Sequence, residues 1–471
     1  MSKGSPNLRL LKHLLWLYLV LLIFEGALRK WVMPGLSTPL LVARDPVVVL
    51  IYMLAFANNR FVVNGFVIVD VFLIFTTFVA GVLSPYSNLM VTLIGLRCYF
   101  LQIPLIFVME KTLDRDDVFR MGKFLLWVSL PITFLLVKQY YSPQSAWVNL
   151  DLGGVITNGM PGANGKFRPS ATFSFTTGVS EFYPLVLALL LAFLLSRRKL
   201  PLYLSIAAGV AVVFAVPFSI SRTNALSCAI VLLTGGLSVL FLPNPPRILA
   251  RTILVAGVIA VIVSQLSFFN EGVSTFEARW VDSTGTDTEG FRTNIVDRAL
   301  EGVTPDSGYI FDSDNLMGVG VGYGTNMASA FLSGQRGFVL GEDEWPRLLL
   351  EIGPMLGVVF IGLRIALCFR LVAASLAALR RNNAVPILIT SACFLLVLNA
   401  QWAQPTTLGF AMFSAGLVLA AARVPGAPSA PARPRRRPSQ QWNAGVRSTW
   451  QPLGTPEPGP VTPRPFAGSP S

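Results

Sequence analysis

Apolar residues occur in long blocks between Leu10 and Arg423, and short polar stretches separate the blocks. A block of about 20 residues, rising 1.5 Å per residue, crosses a hydrocarbon core about 30 Å thick. The pattern therefore predicts an all-α polytopic membrane protein with about twelve transmembrane helices. The predicted helices cover about residues 12–30, 39–57, 65–83, 90–109, 122–140, 180–196, 201–219, 223–242, 252–269, 346–369, 384–402 and 406–423. The pair 201–219 and 223–242 also fits a re-entrant element.

Lysine and arginine predict the orientation of these helices. Short connections on the cytoplasmic side of a membrane are enriched in both residues. Alternate connections carry Lys12, Arg60, Lys123, Arg198, Arg247, Arg370 and their basic neighbours. That side is expected to be cytoplasmic, with both termini on it. The net charge of +13 is then mainly a topology signal, and because the basic residues are not gathered on one soluble face, no nucleic-acid partner is expected.

Two segments on the opposite, outer side are too long to be simple connectors. One runs from about 141 to 179 and the other from about 270 to 345, and loops beyond roughly 12–15 residues usually have a function. The longer loop contains the stretch "EGFRTNIVDRALEGV", which can form a short amphipathic helix. Residues 1–423 are predicted to form the membrane domain. Residues 424–471 contain 12 prolines and are expected to form a disordered cytoplasmic tail.

Three outer-side arginines are candidates for binding an anion, because a guanidinium group offers a planar fork of donors suited to phosphate. Arg168 precedes the Ser/Thr-rich stretch of "FRPSATFSFTTGVSEFYPL", although an interfacial arginine beside a polar turn would look the same. Arg222, in "SISRTNAL", opposes the positive-inside bias and is costly at membrane depth without a partner or a ligand. Arg292 is a third candidate, and Asp297 or Glu289 could simply neutralise it.

Three carboxylates precede the apolar run of "GEDEWPRLLLEIGPMLG". Pro346 suits the first turn of a helix, and acidic residues are favoured in front of a helix. That structural interpretation suffices for one of the three, with Glu344 the first choice. It gives no reason for all three, so Glu342 or Glu344 could accept a proton from a substrate hydroxyl group.

Other motifs favour structure over chemistry. The alternating glycines of "GVGVGYG" lack the strand–helix context of a dinucleotide site and predict a tight turn. The stretches "DTE" and "DSD" do not have EF-hand spacing, the single His13 lies at the predicted cytoplasmic end of the first helix, and the four cysteines lack CxxC spacing. No metal or cofactor is therefore expected. Asp70 and Arg97, both in apolar blocks, could form a structural pair or line a cavity.

Taken together, "FRPSATF", "SISRTNAL", the long outer loop and "GVGVGYG" followed by "GEDEWPRLLLEIGPMLG" resemble the O-antigen ligase and O-antigen polymerase family. The opening "FEGALRKWVMPGLSTPLLVARDPVVVLIY" resembles an exopolysaccharide-cluster subgroup. The resemblance covers about residues 14–423. The family's histidine position falls on Glu342, so this chain departs from the family pattern there.

The resemblance implies a metal-independent glycosyltransferase at the periplasmic face of the bacterial inner membrane. Its donor would be a polyprenyl-diphosphate-linked glycan, and its acceptor a lipid-linked glycan or a lipid A core. Membrane lipids and polysaccharide-assembly proteins would be further partners. The working hypothesis assigns the diphosphate to four arginines and proton transfer to two glutamates: Arg168, Arg222, Arg292 and Arg279, and Glu342 and Glu344.

Two other classes of function fit a polytopic chain. A transporter or flippase would be expected to show internal repeats and polar groups at the membrane midplane, and neither is evident in the sequence. A non-catalytic scaffold of an envelope polysaccharide complex is favoured by the missing histidine and the basic tail. The sequence leaves these alternatives open, together with the choice between ligase and polymerase.

Overall fold

The computed structural model describes residues 6–84, 87–196, 198–243, 245–284, 318–325, 328 and 344–423. The described chain is nearly all helical, and a short π-helix (Leu28–Val32) directly continues its first helix. The helices are α1 (Pro6–Ala27), α2 (Ser37–Leu40), α3 (Arg44–Ala57), α4 (Gly65–Leu83), α5 (Leu89–Tyr99), α6 (Ile103–Thr112), α7 (Arg115–Tyr141), α8 (Thr177–Leu195), α9 (Leu202–Phe218), α10 (Arg222–Val239), α11 (Pro245–Ser264), α12 (Ser267–Thr284), α13 (Glu344–Ile352), α14 (Pro354–Leu379), α15 (Val385–Leu398) and α16 (Pro405–Ala422).

Eight spans within the described chain are long and apolar enough to cross a membrane. A ninth is added if the segments Pro34–Leu40 and Arg44–Ala57, which meet at a bend of 40°, count as one span. Every block predicted from the sequence falls on a helix, but α9, α15 and the apolar part of α11 are shorter than a full span. The all-helical, multi-pass membrane architecture is confirmed. The number of twelve crossings stays a prediction.

Helices α8 and α16 form the centre of the described chain, because both are buried along nearly their whole length. The helices around them expose large apolar side chains, among them Phe75, Phe134 and Phe369. Such a belt of exposed apolar residues is expected where helices face lipid. The loop that precedes α8 therefore leads directly into the centre of the bundle.

Buried ion pairs connect helices that are distant in sequence. Arg44 on α3 binds the carboxylate of Glu25 on α1 at 2.9 Å and the carbonyl oxygen of Pro405, the first residue of α16, at 2.6 Å. Arg97 on α5 pairs with Asp45, so the suggested pair between Arg97 and Asp70 is wrong. The partner of Arg97 comes from the start of α3, which no spacing in the sequence indicated.

Several predicted elements lie outside the described residues: the amphipathic helix in 289–303, the "DTE" and "DSD" stretches and the tail from 424. The turn predicted over the alternating glycines is found at 318–325. Gly318, Gly320 and Gly322 all have positive φ there, and the backbone of Gly322 lies directly against Val91 and Gly95 of α5. The glycines are used for a tight turn and for close helix packing.

The C-terminal end of α1 supports the loop before α8. A Cβ atom at Gly26 would overlap the backbone of Phe173 and Ser174, so only glycine allows the loop to approach the helix this closely. The loop contains the "FRPSATF" motif, so this contact fixes how close the motif lies to α1.

We expect Gly26→Ala to destabilise the protein by about 1–3 kcal/mol, because the added methyl group overpacks a contact with backbone atoms. Thermal unfolding of the detergent-solubilised protein measures this change. Gly362→Ala is the matched control, since Gly362 is also helical but has no atom within 4 Å of the position of an added Cβ. The control should unfold at an equal or higher temperature, because alanine favours helix over glycine. An unchanged melting temperature for Gly26→Ala would contradict the packing.

Candidate functional site

The loop 142–176 contains no regular strand and is held by one buried glutamine at the end of α7. The amide nitrogen of Gln139 donates to the carbonyl of Val148 at 2.7 Å, and its amide oxygen accepts from the backbone N–H of Ala171 at 2.7 Å. The amide of Asn149 donates in turn to the carbonyl of Gln139 at 3.2 Å. One side chain therefore joins both halves of the loop to the helix.

Two basic residues of the π-helix that continues α1 bind the same loop. Arg29 donates to the hydroxyl of Ser174 at 3.2 Å, and Lys30 donates to the hydroxyl of Ser170 at 2.5 Å. Both cationic side chains are buried. The sequence analysis did not select them, although adjacent basic residues at the predicted outer end of a helix run against the positive-inside bias and were a usable signal.

Arg168 lies in this loop beside a buried, polar environment. Its backbone N–H donates to the carbonyl of Met160 at 2.9 Å, and its Nε atom is buried without a hydrogen-bond partner. Burial, together with the nearby positive charges of Arg279 and Arg222, lowers the pKa of Arg168 to about 10. The guanidinium group remains charged at neutral pH and lies close to two other guanidinium groups.

Arg222 is the first residue of α10, where Ser221 caps the helix by accepting from the backbone N–H of Asn224 at 3.3 Å. The hydroxyl groups of Ser221 and Ser180 lie 2.7 Å apart, which connects this helix start to α8. A Cβ at Gly162 would lie 2.9 Å from Ile220, so the loop of Arg168 packs against the residues just before Arg222.

Helix α12 brings Arg279 to the same place. Glu271 on this helix pairs with Lys166 of the loop at 3.1 Å, and the hydroxyl of Thr275 lies 2.7 Å from that of Tyr140. Arg279 follows Thr275 by four residues, so both lie on one face of the helix. These contacts hold the part of α12 that contains Arg279 against the loop that contains Arg168.

The backbone is strained beside two of the three arginines. Five residues other than glycine have positive φ in the described chain, and three of them are asparagines, which tolerate this conformation. The remaining two are Ala171, three residues after Arg168, and Ile220, two residues before Arg222, each with φ of 48°. A β-branched residue with positive φ is a genuine outlier, and such strain concentrates at functional sites.

A cavity of about 630 Å³ opens beside Arg168 between the end of α7 and the loop. Its lining includes Arg168, Ser170 and Thr176, together with the rings of Tyr140 and Tyr141. Thr176 stands just before α8, and its hydroxyl oxygen is buried without a hydrogen-bond partner. Helix starts attract anions, so the cavity combines a guanidinium group with further donors at one wall.

Glu344, predicted as a catalytic carboxylate, lies inside a buried ion network. It pairs with Arg347 one turn further along α13 and with Arg364 of α14 at 2.6 Å. Arg364 also donates to the carbonyls of Val397 and Ala400 and stacks over the ring of Trp402. Both carboxylate oxygens of Glu344 are occupied, so this geometry favours the structural role that the sequence had already allowed.

The remaining predicted site residues, Arg292 and Glu342, lie outside the described residues. The described residues therefore bring together three of the four predicted arginines, Arg168, Arg222 and Arg279, and place Glu344 in a separate network. No group of three or more metal-ligating side chains occurs among the described residues, and all four cysteines are buried thiols.

We expect Glu344→Gln to cost about 3–5 kcal/mol, because it removes the carboxylate that pairs with the buried Arg364 and leaves Arg347 only the more distant carboxylate of Glu351, at 4.0 Å. Thermal unfolding in detergent measures the loss. Glu110→Gln is the control: Glu110 pairs with Arg370 at 2.9 Å in a partly exposed position, where an ion pair contributes about 0–1 kcal/mol. A Glu344→Gln protein as stable as the control would rule out the structural role.

No protein-family model and no curated protein matches the chain. The resemblance to the O-antigen ligases and polymerases therefore stays a prediction. The function has to be argued from the arrangement of the described residues, above all from the three arginines and the cavity beside them.

Proposed function

We propose that this protein transfers a glycan from a polyprenyl-diphosphate carrier to a hydroxyl group of a second glycan or of a lipid. It would act as the polymerase of an O-antigen or exopolysaccharide, or as an O-antigen ligase, in the inner membrane of a bacterium. The observation that carries the proposal is the proximity of Arg168, Arg222 and Arg279, which come from three separate parts of the chain.

Three positive charges in a partly buried position repel one another, and a bound anion removes that cost. A diphosphate suits such a cluster, because it carries several charges and presents oxygens that guanidinium groups bind in pairs. The Nε–H group of Arg168 is a buried donor that has no hydrogen-bond acceptor among the described residues. The start of α8, with the hydroxyl of Thr176, adds donors of the kind that bind phosphate.

A diphosphate fixed in this way is a good leaving group. When the bond between the anomeric carbon and the diphosphate oxygen breaks, its electron pair stays on that oxygen, and negative charge grows there. Guanidinium groups already in position stabilise this charge without reorganising, which is the largest contribution in many enzymes. The apolar helices supply the lipid-facing surface on which the polyprenyl chain would lie.

The resemblance to the glycan ligases and polymerases supports the same reaction, because its motifs contain Arg168 and Arg222. Glu342 keeps its predicted role as an acceptor base within this proposal, whereas Glu344 is better explained by its ion network. The proposal also places the site on the side of the membrane predicted to be periplasmic.

Purified protein with a polyprenyl-diphosphate oligosaccharide and a glycan acceptor should yield longer or transferred glycan. We expect Arg168→Ala, Arg222→Ala and Arg279→Ala each to lower the rate by roughly 10²–10³-fold, as loss of one preorganised donor does. Arg120→Ala is the control, because Arg120 is exposed at the opposite end of α7. Normal transfer by both Arg168→Ala and Arg222→Ala would refute the assignment. Movement of the intact lipid-linked oligosaccharide across a vesicle membrane would indicate a flippase. Neither transfer nor movement would indicate a scaffold.

Arg168→Gln should separate stability from binding. Removing one of three mutually repelling charges is expected to leave the melting temperature of the free protein unchanged or higher. Inorganic diphosphate should raise the melting temperature of the wild type, because a ligand that binds only the folded state stabilises it. The variant should lose most of that increase. An equal increase in both proteins would show that Arg168 does not bind the anion.

A further inference from the structure

The cavity beside Arg168 is larger than the anion site requires. Its volume of about 630 Å³ lies within the range of about 300–1,000 Å³ that is usual for small-molecule sites. Tyrosine rings and amide side chains line it, among them Tyr140, Tyr141, Gln144 and Asn158. Aromatic faces combined with hydrogen-bonding groups suit a ligand with many hydroxyl groups.

A single carboxylate, that of Asp151, lines this cavity among its described residues. We infer that the cavity binds the acceptor glycan and that Asp151 accepts the proton of the attacking hydroxyl group. This inference rests on the proposed glycosyl transfer and names the acceptor site and base of that reaction. It assigns the proton transfer to Asp151 in place of the predicted Glu342, which lies outside the described residues.

The local backbone holds Asp151 in place and leaves one carboxylate oxygen accessible for such a role. Its backbone N–H donates to the carbonyl of Val155 at 2.8 Å, and its Oδ1 accepts from the backbone N–H of Leu152 at 2.7 Å. Its Oδ2 has only a long contact, 3.5 Å to the hydroxyl of Thr157, at the limit of a hydrogen bond. Oδ2 is therefore the oxygen that can bind a substrate hydroxyl.

The turn that carries Asp151 is attached to the outer end of α1. The backbone N–H of Gly153 donates to the carbonyl of Arg29 at 3.1 Å, and Gly154 packs against Pro34. Rigid support of this kind keeps a catalytic group within reach of its substrate. Asp151 and Arg168 thus lie on one loop, and both line one cavity.

Two other carboxylates among the described residues are already engaged. Glu271 is bound to Lys166, and both oxygens of Glu344, in its separate network, are paired with arginines. Lys30, just after α1, lies close enough to Asp151 for an electrostatic interaction, and the basic residues Lys166 and Arg168 line the same cavity as Asp151. A hydroxyl group becomes acidic only as its oxygen forms the new bond, so a carboxylate suffices as base, as in glycoside hydrolases.

The step balances without a further reactant. The acceptor oxygen forms a bond to the anomeric carbon while the bond from that carbon to the diphosphate oxygen breaks. The electron pair of the broken bond leaves with the diphosphate. The hydroxyl proton moves to Oδ2 of Asp151, which later releases it to water. The products are the extended glycan and the polyprenyl diphosphate.

Asp151→Asn tests the inference, because asparagine keeps the oxygen that accepts from Leu152 but cannot take a proton. We expect transfer to fall by roughly 10²–10⁴-fold, the usual contribution of a general base. The increase in melting temperature caused by inorganic diphosphate should be unchanged. Asp116→Asn is the control, since Asp116 is exposed at the other end of α7, about 40 Å away.

The outcomes separate this inference from the proposed function. If wild-type protein transfers no glycan, the proposed function fails. If wild type is active and Arg168→Ala is not, while Asp151→Asn transfers at the wild-type rate, only the present inference is overturned. If Asp151→Asn lowers the melting temperature of the free protein, Asp151→Glu decides. Its carboxylate should retain measurable transfer, and equal inactivity of both variants would overturn the inference.

Discussion

Electrostatic repulsion between Arg168 and its neighbours Arg222 and Arg279 is the constraint around which this end of the bundle is organised. Like charges separate in a chain that is free to move, so other contacts must hold them together. The loop supplies these contacts through Gln139 and through Lys166, which binds helix α12. The free energy of these contacts offsets a repulsion that a bound anion would relieve.

Buried cations in this protein fall into two kinds, and the contrast separates structure from function. Arg364 binds a carboxylate and two backbone carbonyls, and Arg44 binds a carboxylate and one carbonyl, although the Nη1 of Arg44 has no partner. Arg168 has no carboxylate among its described contacts, and its Nε is also unbonded. A buried cation that is paired with a carboxylate stabilises the fold. One without a carboxylate partner retains capacity for an anionic ligand.

Much of the helical fold could be predicted, because the length and the hydropathy of each apolar block reflect the hydrocarbon core that its helix must cross. The positions where helices are interrupted were harder to predict. The block predicted at 346–369 divides at Gly353, which has φ of 82° and precedes Pro354, so the signal was present but was overridden by the continuous apolar pattern. The pairing of Arg97 with Asp45 depends on tertiary packing and could not be predicted from spacing.

The candidate site was predictable only in part, for the same physical reason. Arg168 and Arg222 stand out because each violates an expectation about where charge belongs in a membrane protein. No feature of the sequence indicates that Arg168 and Arg222 lie close together in the fold. The ion network of Glu344 could not be predicted, because its second partner, Arg364, lies twenty residues further along the chain on the next helix. The sequence analysis did not select Asp151, because an aspartate two residues before a pair of glycines is typical of a turn.

The proposed anion site and the proposed acceptor cavity share one loop, which matters for the proposed transfer reaction. Two reactants react fastest when their relative position is fixed before the reaction begins. Here the fixed frame is not a helix but a loop held by the end of α1 on one side and by Gln139 on the other. The positive φ of Ala171 shows that this loop is strained close to Arg168, and the positive φ of Ile220 shows the same strain just before Arg222. A relaxed loop would be more stable, but it would no longer hold Arg168 at the wall of the cavity.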